Sequence, residues 1–246
     1  MSEISKKVAI VTGASRGIGA AIARRLASDG LLVVVNFARS RDSADALVRE
    51  IEGSGGRALA VQADIGAPGS MKALFDAAET AFGGVDVLVN NAGIMKLSPI
   101  AGVRDEDFDR QVAVNFGGVF RGMREAANRL RDGGRIVNFS TSVVGMKLPT
   151  YGVYASIKAA VETMTSILAK ELGPRGISVN TVAPGPVETE LFLTGKTDEQ
   201  VAALAGMTPF KRLGQPEDIA GVVAFLAGPD GGWVNGQTIR ANGGIA

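Results

Sequence analysis

Residues 12–19 read Thr12-Gly13-Ala14-Ser15-Arg16-Gly17-Ile18-Gly19. They join an apolar run at 7–11 to an amphipathic stretch at 17–28, which the patterning predicts to be a buried strand and a helix. Glycines at such a junction let the backbone turn sharply and approach a ligand closely. The helix that follows offers unpaired N–H groups and a partial positive charge. A turn of this kind suits a pyrophosphate. The spacing is G-x-x-x-G-x-G, not the more widespread G-x-G-x-x-G. No Gly-Lys-Ser/Thr follows, so the turn is not a Walker A loop.

Outward from the turn, short apolar runs alternate with longer amphipathic stretches. Strands are expected at 31–36, 58–63, 85–90, 135–140, 177–182 and 237–240, and helices at 41–52, 69–82, 105–130 and 154–172. The stretch 188–206 reads as a helix broken at Gly195 and Thr197. Pro216 stands in the first turn of a last helix, 216–226. The strands are apolar on both faces, which predicts an α/β fold with a parallel sheet covered by helices on both sides. No linker, repeat or low-complexity tract divides the chain, so 1–246 is expected to form a single domain.

The composition narrows the chemistry. The 246 residues include neither histidine nor cysteine. A Ser-His-Asp triad, a Cys-His pair and a Cys/His zinc site are therefore excluded, and no metal ligand set is expected. An acid or base here must be Tyr, Lys, Asp or Glu, or a cofactor must carry the reaction. The net charge is +1, with no basic stripe of the kind a nucleic-acid binder shows. No apolar run approaches the ~18 residues of a membrane span. MSEISKK at the N-terminus has no apolar signal region, so a soluble cytoplasmic protein is expected.

The second strand ends Val35-Asn36-Phe37-Ala38-Arg39-Ser40-Arg41. An NAD site usually places a carboxylate at this tip for the ribose 2′-OH. Here there is none, and Asp42 comes late enough to open the following helix. Arg39, with Arg41 and Arg16 as further candidates, could clamp a 2′-phosphate through the guanidinium fork. NADPH/NADP+ is therefore the expected cofactor.

Only two tyrosines occur, Tyr151 and Tyr154, and only Tyr154 has a lysine, Lys158, four residues on. On a helix the two share one face. An ammonium there is expected to lower the phenol from its usual ~10. The same lysine could donate to ribose hydroxyls. Taken alone, Y-x-x-x-K is common by chance.

The T-G-x-x-x-G-I-G turn, the Tyr154–Lys158 pair and the run from 138 to 145 together resemble the short-chain dehydrogenase/reductase family, over nearly the whole chain. The likeness is to the branch of 3-oxoacyl-[acyl-carrier-protein] reductases and NADPH-dependent carbonyl reductases. It implies a Rossmann-like, doubly wound sheet of about seven strands and a homotetramer. It implies that Ser142, in Asn138-Phe139-Ser140-Thr141-Ser142-Val143-Val144-Gly145, holds the substrate carbonyl against Tyr154, although a one-step error in register would promote a neighbour. It implies that Asn115 binds a water linked to Lys158; the plainer reading is an asparagine that kinks its helix. Asp64-Ile65 is implied to border the adenine. Asn90-Asn91-Ala92-Gly93 resembles the family's N-N-A-G segment, with Asn91, Ala92 and Gly93 along the cofactor ribose and Asn90 structural. Pro184-Gly185-Pro186-Val187-Glu188-Thr189 resembles the segment that orients the nicotinamide carboxamide.

Together with Gly13, Ser15, Arg16, Gly17, Ile18, Gly19 and Arg39, these residues make the expected cofactor site. Asn115, Ser142, Tyr154 and Lys158 make the expected catalytic set. Met95, Met146, Leu148, Tyr151, Leu191, Phe192 and Met207 are candidates for an apolar substrate pocket, on segments able to close as a lid. They favour a small-molecule ketone, hydrophobic or aromatic. The rival substrate is one borne by acyl carrier protein, an acidic partner. That would need a basic patch beside the pocket, for which Arg129, Arg131 and Arg175 are available. A non-catalytic NADP-binding regulator is the remote alternative; the four catalytic residues all being present argues against it. Ala241-Asn242-Gly243-Gly244 departs from the V-D-G-G that is usual in the family, and Trp233 stands where tyrosine is common.

Overall fold

The computed structural model describes residues 6–246. The residues 1–5, on which most of the leader reading rests, lie outside the described residues. Seven strands form one parallel sheet in the order β3-β2-β1-β4-β5-β6-β7. They are β1 (Val8–Val11), β2 (Leu32–Phe37), β3 (Arg57–Gln62), β4 (Val85–Asn90), β5 (Leu130–Phe139), β6 (Ser178–Pro184) and β7 (Thr238–Ala241). Every residue of β1, β2 and β6 is buried, as strands covered on both faces require.

Two apolar cores flank the sheet. One packs α1 (Gly17–Ser28), α2 (Arg41–Gly53) and α10 (Pro216–Ala227) against the sheet. The other lies under α3 (Ser70–Phe82), α5 (Val119–Arg129) and α7 (Gly152–Glu171). The strand order reverses between β1 and β4, and in open α/β sheets the crevice at that point takes the ligand.

A polar row crosses the second core. Asn90, Asn138 and Thr181 stand side by side on β4, β5 and β6. Asn90 Nδ2 donates to Asn138 Oδ1 at 2.8 Å, and Asn138 Nδ2 donates to Thr165 Oγ1 of α7 at 2.9 Å. Thr181 Oγ1 donates to the same Thr165 oxygen at 2.8 Å. Asn90 is structural, as expected, and α7 is pinned to the sheet by buried bonds that water cannot compete for.

The long helix expected at 105–130 is three segments. α4 (Asp105–Gln111) runs into a π-helical stretch, Val112–Gly118, and then α5. Leu130 does not end that helix: it opens β5 and pairs with Val85. β5 thus begins five residues before the expected Arg135, through a segment whose Gly133-Gly134 reads as a turn. The stretch at 188–206 is broken as expected, into α8 (Glu190–Leu193) and α9 (Asp198–Met207), with Gly195 at φ +77° between them. A single turn, α6 (Val143–Met146), follows β5. No described helix is long and apolar enough to cross a membrane.

Candidate active site

A cavity of about 570 Å³ opens at the C-terminal ends of the strands. Its first wall is the turn at 12–19. Gly13 has φ +62°, and a Cβ there would lie 2.9 Å from Ala92, so glycine is required for conformation and for space. Asn36, buried at the end of β2, accepts from Gly13 N–H at 3.1 Å and donates to Ala63 O at 3.0 Å. Asn91 Nδ2 donates to Thr12 O at 2.9 Å. The turn is therefore held from both neighbouring strands. No side chain caps α1, whose preceding residue Arg16 is extended, so the helix start offers its N–H groups to a ligand.

Ser15, Arg16, Gly17, Ile18 and Gly19 line this wall, and Asp64, Ile65, Asn91, Ala92 and Gly93 line the next. Pro184, Gly185, Val187 and Thr189 lie opposite. Every expected cofactor residue thus faces one cavity. Thr189 also caps α8, its Oγ1 accepting from Phe192 N–H.

The three candidate arginines part company. Arg39 is exposed at the cavity rim. Arg16 lines the cavity and pairs with Glu190 at 2.6 Å, joining the turn to α8. Arg41 turns away: it lies over the Phe37 ring at 5.3 Å and donates to Gln62. With no carboxylate at the β2 tip, an uncapped helix start and Arg39 at the rim, the donor set fits a dinucleotide carrying a 2′-phosphate.

The second half of the cavity holds the titratable groups. Ser142, Tyr154 and Lys158 all line it. Ser142 follows β5 and donates to Ala183 O at a long 3.3 Å. Lys158, 2% exposed, donates from Nζ to Phe139 O at 2.8 Å and stands 5.7 Å from the Tyr154 ring centre. Burial drives Lys158 down to about 8. The expected depression of Tyr154 does not occur in the protein alone. Burial, with Tyr151 adding to it, pushes the phenol up to about 12. Sequence spacing showed the ammonium but not the loss of water around the ring. Both groups remain largely protonated at neutral pH. Thr150, just before α7, is held at φ +73°, a strained setting for a β-branched residue in the loop between Ser142 and Tyr154.

Asn115 sits in the π segment and does not line the cavity. Its amide donates to Ile94 O at 2.8 Å and accepts from Ile94 N–H at 2.9 Å. A Cβ on Gly93 would lie 3.2 Å from Asn115 Oδ1 and 3.8 Å from Lys158 Nζ, so the missing side chain leaves these two polar groups facing one space.

Met95, Met146, Leu148, Tyr151, Leu191 and Phe192 line the cavity, as expected. Met207 does not; it is half exposed on α9, and Leu204 and Ile245 line the cavity instead. Ile245 and Asn36 were missed because nothing local marks them: their contacts are far away in sequence. Arg129, Arg131 and Arg175 lie near the opposite, N-terminal ends of the strands. Arg129 binds Asp76, Glu79 and Glu125, Arg131 binds Asp86, and Arg175 binds Asp132. They are neutralised away from the cavity and form no basic patch at its mouth.

A family model described as enoyl-(acyl carrier protein) reductase matches residues 13–246. An uncharacterised oxidoreductase of Methylorubrum extorquens is 47% identical over 247 residues, covering 100% of both chains. A chloroplastic NADPH-dependent aldehyde reductase-like protein of Arabidopsis thaliana is 48% identical, covering 98% of this chain and 94% of its own. The crystal structure of an angucycline C-6 ketoreductase with bound NADP superposes with a TM-score of 0.92 at 40% identity, over 97% of this chain and 95% of that one. The chain belongs to the short-chain dehydrogenase/reductase family.

Proposed function

We propose that this protein is an NADPH-dependent carbonyl reductase that converts a ketone or aldehyde to an alcohol. One observation carries the reading: Tyr154, Lys158 and Ser142 open into the same cavity as an uncapped, glycine-turned helix start. The NADPH-dependent aldehyde reductase-like relative and the NADP-bound ketoreductase support it.

When bound, the reduced nicotinamide supplies a hydride to the carbonyl carbon. Ser142 donates a hydrogen bond to the carbonyl oxygen and fixes its direction. Tyr154 gives its proton to that oxygen as negative charge develops there. A phenol that keeps its proton well above neutral pH is in the right state for this step. Lys158, held by Phe139 O, keeps a positive charge close to the ring and stabilises the phenolate left behind. Asn115 fixes the Ile94 main chain beside Gly93 and so acts as a positioning residue. Arg39 and Arg16 would hold the 2′-phosphate.

The lining favours a hydrophobic or aromatic carbonyl compound over a substrate presented by acyl carrier protein, because Arg129, Arg131 and Arg175 are ion-paired at the far ends of the strands. A cytoplasmic homotetramer is the expected form; Trp233, 99% exposed, and the half-exposed Phe225 supply apolar surface for subunit contact. The test is cofactor oxidation with a panel of ketones, aldehydes, ketoesters and sugars, run with NADPH and with NADH. Turnover of free carbonyl compounds with a clear NADPH preference is expected. No turnover across the panel, or a preference for NADH, overturns the reading.

A further inference from the structure

The C-terminal segment reaches the reacting groups through one side chain. β7 ends at Ala241, and the chain then turns through Gly243 and Gly244, at φ +62° and +83°. Gly185 lets this turn come close: a Cβ there would lie 2.9 Å from the Cα of Asn242. Asn242 Nδ2 donates to Ser142 Oγ at 3.0 Å and to the main-chain oxygen of Ala246 at 2.9 Å. Asn242 Oδ1 accepts from Gly244 N–H at 3.0 Å.

These contacts settle which way the amide faces. A backbone N–H can only donate, so the atom facing Gly244 is the amide oxygen. The atom facing Ser142 is then the NH2 group. Ser142 Oγ must accept from it, and its own proton must point elsewhere. The other bond seen is the long one to Ala183 O at 3.3 Å, which is easily given up. The serine proton is thus kept free to turn into the cavity.

We propose that Asn242 is a positioning residue that sets Ser142 as a hydrogen-bond donor to the substrate carbonyl. The inference rests on the carbonyl-reductase reading of the cavity. Without the amide, Ser142 Oγ loses this donor and its proton is no longer directed away from the C-terminal segment. Asn242 does not line the cavity, so the NADPH Kd should not depend on its side chain directly.

The experiment compares Asn242→Asp, Asn242→Ala, Ser142→Ala and the two double variants on one reduced ketone. NADPH binding is measured by fluorescence on each. Asn242→Ala is expected to lower kcat about 10-fold, less than the about 10²-fold of a deleted oxyanion donor because Ser142 keeps its hydroxyl, with the NADPH Kd unchanged. Neither substitution should cost anything further in a Ser142→Ala background. If Asn242→Ala does not fold, Asn242→Asp carries the same comparison, its loss vanishing when Ser142 is absent. A Ser142→Ala variant with wild-type kcat overturns the role given to Ser142 and this inference with it, whereas a wild type without ketone turnover overturns the proposed function. A disabled Ser142→Ala beside Asn242 variants of wild-type kcat overturns the inference alone. Equal losses with and without Ser142 also overturn it.

Discussion

Lys158→Met separates the stability of the site from its activity. Lys158 is 2% exposed, and burial holds it at about 8 rather than the ordinary 10.5. Keeping the amine charged at neutral pH therefore costs the folded state about 3 kcal/mol relative to the unfolded chain. Methionine has nearly the same length and no charge to bury. It removes that cost but orphans Phe139 O, which loses its 2.8 Å donor at about 1–3 kcal/mol. At neutral pH the two effects nearly cancel, while turnover is lost. The pH dependence does not cancel. Between the folded value and 10.5 the unfolded chain binds the proton and the native protein does not, so wild-type stability rises with pH. From about pH 7 to about pH 10 the wild type should gain about 2–3 kcal/mol relative to the variant. Tyr154 stays protonated in the folded protein up to about 12 and drops out of the comparison. Urea unfolding of both proteins across that range reads the difference. Parallel stability curves would refute a buried, charged Lys158.

Tyr154→Phe should lower kcat/KM by about 10²–10⁴-fold with NADPH affinity unchanged, since only the proton donor is removed; a variant with near-wild-type turnover would take Tyr154 out of the mechanism. Arg39→Ala should weaken NADPH by about 10- to 100-fold and leave NADH nearly untouched, because one charge-assisted contact to phosphate is lost; parallel changes in both cofactors would place the 2′-phosphate elsewhere. Gly13→Ala must adopt φ +62° and bring a Cβ within 2.9 Å of Ala92, so a loss of at least about 2 kcal/mol is expected in thermal unfolding, together with weaker cofactor binding.

The parts of the fold visible in sequence are those where local pattern and tertiary role coincide. The turn at 12–19 announces its strand, its helix and its ligand together, and the fully apolar runs of β1, β2 and β6 require helices on both faces. The π segment at 112–118 was hidden because Val112-Ala113-Val114 and Phe116-Gly117-Gly118 read as an unbroken apolar stretch. Its Asn115 is tied to Ile94, 21 residues back. The same distance problem hid the partner of Arg16, which lies 174 residues on, and that of Ser142, which lies 100 residues on. The identities of Tyr154 and Lys158 followed from spacing, but the direction of the phenol's shift depended on burial, which spacing does not contain.

The row Asn90–Asn138–Thr181 acts as a ruler for the site. Ser142 hangs from the end of β5 and the Pro184 segment from the end of β6, so their separation is set by how those strands are aligned. Apolar neighbours alone would tolerate a slide, because valine and isoleucine on adjacent strands are nearly interchangeable. A slip of one residue along β5 would carry Ser142 by about 3.3 Å and turn every side chain to the opposite face. The amide of Asn138 meets Asn90 on one side and Thr165 on the other only in the observed alignment. Another alignment would part the Asn138 amide from Asn90 and Thr165 and add to the one group of the row, Asn90 Oδ1, already buried without a partner. Four polar side chains in an otherwise oily interior thus calibrate the distance across which a proton and a carbonyl must meet.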